Sequence, residues 1–117
     1  MRILVLDDDR SRLSEFKRKL IGHVGYCVET AEEAIEKLSE GDLFEIVYLD
    51  HDLGGKINQP SGPGTGYKVA EWLSKHPDRK PAKIIIHSFN APGATKMLEI
   101  LPGSVYIPGV WAMKKIL

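Results

Sequence analysis

Short apolar runs alternate along the chain with segments of helical periodicity. Runs made up mostly of aliphatic and aromatic residues occupy positions 3–6, 26–28, 44–49, 83–87 and 105–107. Between them lie segments in which apolar residues recur every three or four positions: 11–21, 31–38, 67–75 and 91–101. Continuous apolar runs are typical of strands buried on both faces, and the three-to-four spacing is typical of amphipathic helices. The pattern therefore predicts strands and helices in strict alternation.

Polar residues at the expected helix starts support this assignment. Asp9 or Ser11 can cap the first helix, Thr30 with Glu33 matches a capping box, and Asn90 can cap the last long helix. Alternating strands and helices with buried strands predict a parallel sheet with helices on both faces, a three-layer α/β sandwich. At most a short terminal helix is expected at 111–117. The length of 117 residues predicts a single domain over 1–117.

A long loop interrupts the alternation at 53–66, where glycine and proline are frequent. Loops of this length inside a compact domain are uncommon and are often functional. The loop is no P-loop, because no Gly-Lys-Ser/Thr sequence follows its glycines. A tolerated insertion is the alternative, and the sequence leaves both interpretations open.

Composition excludes several classes of partner. Lysine plus arginine and aspartate plus glutamate each number 16, so no broad nucleic-acid-binding surface is indicated. A single cysteine, Cys27, excludes a disulfide within the chain and a multi-cysteine metal site. No apolar run approaches the roughly 18 residues of a membrane helix, so no membrane partner is expected. These features lead us to expect a cytoplasmic protein.

Acidic residues collect at the ends of the first and third predicted strands. Asp7, Asp8 and Asp9 follow the first strand, and Asp50 and Asp52 follow the third. The carboxyl ends of parallel strands share one edge of the sheet, so these side chains are expected to meet there. Neighbouring carboxylates repel one another, and a hard divalent cation such as Mg²⁺ (or Mn²⁺) compensates them. We predict Asp7, Asp8, Asp50 and Asp52 as metal ligands and interpret Asp9 as a helix cap.

Two histidines and two polar residues extend this candidate site. His51 and His87 lie at strand ends, where a neutral imidazole can transfer protons or can simply form a hydrogen-bonding wall. Ser88 and Asn90 lead into a helix N-terminus, which favours a phosphate, although Asn90 can also serve only as a cap. We predict Asp50, His51 and His87 as catalytic residues and Ser88 and Asn90 as phosphate-binding residues. The expected ligand is a phosphate-containing small molecule or nucleotide.

The acidic pair Asp7-Asp8, Asp50 after the third strand and Ser88 after the fourth resemble the response-regulator receiver family over nearly the whole chain. The resemblance implies a flavodoxin-like sheet of five parallel strands in the order 2-1-3-4-5, with Mg²⁺ beside a phosphorylatable aspartate. It implies that Asp50 is that aspartate, that Asp7 and Asp8 bind the metal, and that Ser88 is the switch hydroxyl. A protein partner is also implied.

Other positions depart from typical receivers. Receivers carry a lysine after the fifth strand, whereas residues 106–109 read YIPG. The sequences DDDR at 7–10, DHDL at 50–53 and HSFN at 87–90 resemble a divergent receiver group proposed to process cyclic phosphates. This second resemblance implies metal-assisted hydrolysis of a cyclic phosphate ester.

Three functions therefore stay open at the level of sequence. The missing lysine and the added histidines favour a metal-dependent phosphoesterase. The match of Asp7, Asp8, Asp50 and Ser88 favours a receiver domain phosphorylated on Asp50. A degenerate receiver that only binds a protein is the third alternative.

Overall fold

The computed structural model describes residues 1–53 and 59–108. Its strands are β1 Arg2–Leu6, β2 Val24–Val28, β3 Ile46–Leu49, β4 Lys83–Ile86 and β5 Val105–Tyr106. Its α-helices are α1 Arg10–Lys19, α2 Ala31–Ser39, α3 Gly66–Lys75 and α4 Ala91–Ile100, and a 3₁₀ turn spans Pro77–Arg79. These elements confirm the predicted order, with ends that differ by two residues or fewer. The predicted terminal helix at 111–117 lies outside the described residues.

The sheet is parallel throughout and has the strand order β2-β1-β3-β4-β5, as predicted. Leu6 of β1 pairs with Val28 of β2 on one side and with Leu49 of β3 on the other, and Leu49 pairs with Ile86 of β4. The last residues of these strands therefore form one row. Because β1 and β3 are neighbours whose connections leave in opposite directions, a crevice opens at this edge of the sheet.

Backbone hydrogen bonds continue one residue beyond the strand ends. The amide of Asp7 donates to Val28 O at 3.1 Å, that of Asp50 to Leu6 O at 3.0 Å, and that of His87 to Leu49 O at 2.9 Å. The ladder thus holds the backbone of Asp7, Asp50 and His87 in one row at the crevice.

Alternation along the strands divides the core into two layers. Leu4 and Leu6 pack beneath α2, α3 and α4, whereas Ile3 and Val5 pack against α1. On the α1 side the rings of Phe16 and Tyr48 lie 5.1 Å apart between centroids. Because both faces of β1 are covered, its side chains at positions 3–6 are fully buried, which explains the continuous apolar run in the sequence.

Side-chain caps set the starts of all four described α-helices, with Thr65 as the cap of α3. Asp9 Oδ1 accepts the amide of Arg12 at 3.0 Å, which selects Asp9 over Ser11 as the cap of α1. Thr30 Oγ1 accepts the amide of Glu33 at 3.1 Å and donates to the Glu33 carboxylate at 3.0 Å. Asn90 Oδ1 accepts the amide of Gly93 at 3.0 Å. Within 1–53 and 59–108, no helix combines the length and apolar character needed to cross a bilayer.

Candidate functional site

Asp7 is a fully buried carboxylate with several hydrogen-bond donors. Arg12 donates from Nε to Oδ2 at 2.8 Å and from Nη2 to Oδ1 at 3.0 Å. His87 Nε2 lies 3.1 Å from Oδ2, and the amide of Asp9 donates to Oδ1 at 2.9 Å. Burial raises the pKa of Asp7, but the hydrogen bonds from His87 and Arg12 outweigh it and lower the pKa to about 2. Asp7 is therefore ionised, and His87 Nε2 carries the proton between them.

Arg12 has the spacing of an outward-facing residue of α1 in the sequence, but the structure places its side chain at Asp7 and Asp50. Because α1 begins at Arg10, Arg12 lies in its first turn, from which its long side chain reaches the carboxylates at the sheet edge. The side chain is only 20% exposed, and its guanidinium carbon lies 5.8 Å from the centroid of the Phe89 ring. A cation in the first turn of a helix is unfavourable because of the helix dipole. This unfavourable position is the feature of the sequence that could have indicated a role for Arg12.

Asp50 is the second buried carboxyl of the site, with 4% of its surface exposed. Its Oδ1 accepts the amide of His51 at 2.8 Å, and its Oδ2 lies 3.6 Å from Arg12 Nη2. Burial, followed by the charge of Asp7, raises the pKa of Asp50 to about 8. At neutral pH Asp50 is therefore mostly protonated, because one guanidinium does not compensate two buried carboxylates.

Asp7, Asp50 and His87 form a group with the composition of a metal site. Each offers a ligand atom, and these atoms lie within 4.8 Å of one another. Within the described residues His87 Nδ1 is buried and has no hydrogen-bond partner. Carboxylate oxygens suit Mg²⁺ and Mn²⁺, and a cation that replaces the proton of Asp50 removes the repulsion from Asp7. The residues present therefore fit a divalent cation.

The group of Asp7, Asp50 and His87 does not include the other two predicted metal ligands. Asp8 is partly exposed and lines a cavity of about 450 Å³ with Glu29 and Leu53, although its charge still contributes to the raised pKa of Asp50. Asp52 Oδ1 accepts the amide of Gln59 at 3.2 Å and is engaged in a second cluster. Metal binding by Asp8 and Asp52 stays a prediction.

The second cluster surrounds the fully buried ring of His51. His51 Nδ1 lies 2.8 Å from Asp52 Oδ1, and Nε2 lies 2.9 Å from Ser61 Oγ. Asn90 Nδ2 donates to Asp52 Oδ1 at 3.0 Å and to Gln59 O at 3.0 Å. The structure thus places the His51 ring between a carboxylate and a hydroxyl.

Ser88 and Asn90 are both buried and bind the protein's own backbone. Ser88 Oγ accepts the amide of Asn90 at 3.0 Å, and the Ser88 carbonyl accepts the hydroxyl of Tyr106 at 2.7 Å. Asn90 caps α4 and connects it to Asp52 and Gln59. Phosphate binding by Ser88 and Asn90 stays a prediction, because these contacts account for both side chains as structural elements.

Comparison with family models matches residues 2–102 to the cyclic-phosphate processing Receiver domain. The chain belongs to this family. Comparison with curated proteins found no match. The match confirms the resemblance drawn from the residues at 7–10, 50–53 and 87–90.

Solved structures support the same fold. A CheY-like receiver domain from Methanospirillum hungatei superposes with a TM-score of 0.68 at 25% identity, covering 92% of this chain and 79% of that one. The phosphorylated cyanobacterial phytochrome response regulator RcpA superposes with a TM-score of 0.74 at 16% identity, covering 98% of this chain and 84% of that one. A Burkholderia pseudomallei response regulator with a phosphorylated aspartic acid, a calcium ion and citrate superposes with a TM-score of 0.72 at 18% identity. The superposition covers 98% of this chain and 63% of that one.

Sequence reasoning missed two glycines that shape the site of this receiver domain. A Cβ atom on Gly93 would lie 2.6 Å from the ring of His51, and one on Gly66 would lie 1.7 Å from the carbonyl oxygen of Asp50. Both glycines belong to the first turns of helices, where a glycine often marks a close approach. Ser61 was missed as well, because nothing distinguishes it from other polar loop residues.

Proposed function

We propose that this receiver domain holds Mg²⁺ or Mn²⁺ at Asp7 and Asp50 and hydrolyses a cyclic phosphate ester at the same edge of the sheet. The observation that carries the proposal is the buried group of Asp7, Asp50 and His87, whose ligand atoms lie within 4.8 Å of one another. Membership of the cyclic-phosphate processing family supports the substrate class.

The bound cation would polarise the phosphoryl group and lower the pKa of a water molecule. Asp50 would give up its proton on metal binding, since its raised pKa reflects burial and the charge of Asp7. Arg12 lies between the two carboxyls, 2.8 Å from Asp7 and 3.6 Å from Asp50. When the cation takes over these carboxylates, Arg12 would be free to bind the phosphate oxygens, for which a guanidinium is well suited.

His87 is the residue that we assign to proton transfer beside the cation. Its Nε2–H donates to Asp7, which fixes the ring and leaves Nδ1 as the basic nitrogen. Nδ1 is buried and has no hydrogen-bond partner within the described residues, so it would accept a proton from a water molecule held inside the site. The ring of His51 contacts Asp52 and Ser61 rather than the side chains of Asp7, Asp50 or His87, so its contribution is of a different kind.

Phosphorylation of Asp50 is the second candidate function, and the position of Asp50 directly after β3 favours it. The Burkholderia pseudomallei structure contains a phosphorylated aspartic acid. A protonated carboxyl is a poor nucleophile, however, so Asp50 would need a cation to displace its proton first. Arg12 is the cationic side chain paired with Asp50 in the described part of the chain.

Turnover of defined cyclic phosphates tests the proposed function. Nucleoside 2′,3′-cyclic phosphates, 3′,5′-cyclic nucleotides and oligonucleotides with cyclic-phosphate ends would be incubated with Mg²⁺, Mn²⁺ or EDTA and separated by chromatography. We expect cation-dependent ring opening that falls roughly 10²–10⁴-fold in His87→Gln and is retained in the control His23→Gln. Absence of turnover in folded, cation-loaded protein for every substrate would contradict the proposal.

A further inference from the structure

A continuous chain of hydrogen bonds joins the side chains of Ser61, His51 and Asp52. It includes none of the side chains of Asp7, Asp50 and His87. Ser61 Oγ lies 2.9 Å from His51 Nε2, and His51 Nδ1 lies 2.8 Å from Asp52 Oδ1. We propose that Ser61 is a nucleophile, with His51 as its general base and Asp52 as the residue that orients His51. The order of hydroxyl, imidazole and carboxylate is the one by which a serine is activated on several unrelated folds.

Asn90 determines which nitrogen of His51 carries the proton. Because Asn90 Oδ1 accepts the amide of Gly93, its amide nitrogen faces Asp52 and Gln59 O, and both of its hydrogens are donated there. The 3.3 Å contact between Asn90 Nδ2 and His51 Nδ1 therefore joins two donors and is no hydrogen bond. His51 Nδ1–H donates to Asp52, which leaves Nε2 as the acceptor for the Ser61 hydroxyl.

The position of the His51 ring is rigid. The ring is fully buried, and Gly93 packs so closely that any side chain there would approach the ring to 2.6 Å. Asp52 is fixed in turn by the amide of Gln59 at 3.2 Å and by Asn90. A base held on both sides in this way is preorganised for proton transfer.

Ser61 is also accessible, because it lines a cavity of about 300 Å³ at the start of α4. Asn90, Pro92 and Lys96 line the same cavity. The ammonium group of Lys96 and the positive end of the α4 dipole favour an anionic ligand there. A phosphate ester is the class of substrate that we assign to the cavity, and this assignment rests on the proposed function, whereas the activation of Ser61 does not.

The covalent step balances without another reactant. Ser61 Oγ bonds to phosphorus while its proton moves to His51 Nε2, the ester P–O bond breaks, and the leaving alkoxide takes the proton from Nε2. Water then attacks the phosphoserine and gives a proton to Nε2. The Oγ–P bond breaks, and the proton returns to Ser61 Oγ.

A fluorophosphonate probe tests the activation independently of any natural substrate. Ser61 Oγ would displace fluoride from phosphorus, and the adduct would be located by peptide mass spectrometry. The variants are Ser61→Ala, His51→Gln and Asp52→Asn, with circular dichroism and thermal midpoints as checks of folding. Ser39→Ala is the matched control, because the Ser39 hydroxyl is exposed and donates to Glu36 O.

We expect labelling at Ser61 that is retained in Ser39→Ala, abolished in Ser61→Ala and slowed roughly 10²–10⁴-fold in His51→Gln. Should His51→Gln not fold, slower labelling of folded Asp52→Asn serves as the test. The proposal would be overturned if Ser61 stayed unlabelled in folded wild-type protein. It would also be overturned if Ser61 were labelled at the wild-type rate in folded His51→Gln or folded Asp52→Asn. Labelled Ser61 without turnover of cyclic phosphates would support the activation and reject the phosphate-ester substrate.

Discussion

Arg12 binds both carboxylate oxygens of Asp7, at 2.8 and 3.0 Å, from the first turn of α1. The same guanidinium lies 3.6 Å from Asp50. In the absence of a divalent cation, one guanidinium therefore compensates a pair of buried carboxyls, and the raised pKa of Asp50 shows that this compensation is incomplete. This arrangement explains how the fold tolerates two buried carboxyl groups and why a cation bound there would stabilise the site further.

Replacing Arg12 should destabilise the folded protein, because two buried carboxyl groups would lose their compensating charge. In EDTA, Arg12→Ala should lower the free energy of unfolding by about 3–5 kcal/mol, because it leaves Asp7 buried without its bidentate partner. Urea denaturation measures this loss. Arg18→Ala, which removes an exposed arginine of the same helix, should change stability little. Equal effects of the two variants would show that the Asp7–Arg12 pair does not stabilise the site.

Asp50→Asn should stabilise the metal-free protein increasingly as pH rises. The pKa of Asp50 is about 8 when folded and 3.8 when unconstrained, so the folded state holds a proton that the unfolded state loses between these values. Wild-type stability should therefore fall from about pH 4 to about pH 8, and the asparagine variant should lack this contribution. Urea denaturation at several pH values measures the difference. The exposed control Asp42→Asn should show no such trend, and a constant difference for Asp50→Asn would be the contrary result.

Divalent cations should raise the thermal midpoint of unfolding, because they bind only the folded site. The increment should grow between about pH 5 and about pH 8, since the cation must displace the proton of Asp50, whose pKa is about 8. Differential scanning fluorimetry with Mg²⁺, Mn²⁺ and EDTA measures it. The increment should vanish in Asp50→Ala and persist in Asp42→Asn. An unchanged increment in Asp50→Ala would show that Asp50 is no ligand.

Gly93→Ala should disturb His51 specifically. Its Cβ would lie 2.6 Å from the buried imidazole, so either the ring or the start of α4 must move. We expect a loss of about 1–3 kcal/mol in unfolding free energy, as for other overpacked cores. Gly62→Ala is the matched control, because nothing lies within 4 Å of the added atom. Denaturation curves that are alike for both variants would contradict the close packing around His51.

Patterns that repeat along the chain were sufficient to predict the alternating elements and the parallel sheet, whereas the strand order was implied by the receiver resemblance. Buried strands read as continuous apolar runs, and a parallel sheet brings their carboxyl ends to one edge. The structure accordingly places Asp7, Asp50 and His87 in one row. Their functional roles stay predictions, because position in the sheet does not determine which ligand a side chain binds.

The finer contacts of the site could not be predicted, because they depend on side-chain reach and loop path. Arg12 has the spacing of an outward-facing residue, and only its long side chain brings it to Asp7. Ser61 reaches His51 because residues 59–61 lie beside the start of α4, and no periodicity encodes that position. Asp52 and Asn90 were predicted as ligand-binding residues, whereas in the structure they hydrogen-bond to each other.

The most direct test of the proposed function is phosphorus-31 NMR of a cyclic nucleotide incubated with the protein and Mg²⁺, combined with peptide mass spectrometry. A hydrolase is predicted to accumulate the ring-opened phosphate monoester over many turnovers in wild type and to lose this activity in Asp50→Asn. Acetyl phosphate serves as the donor in a parallel sample. No ring opening in the first sample, together with stoichiometric phosphorylation of Asp50 in the second, would contradict the hydrolase and establish the phosphoacceptor.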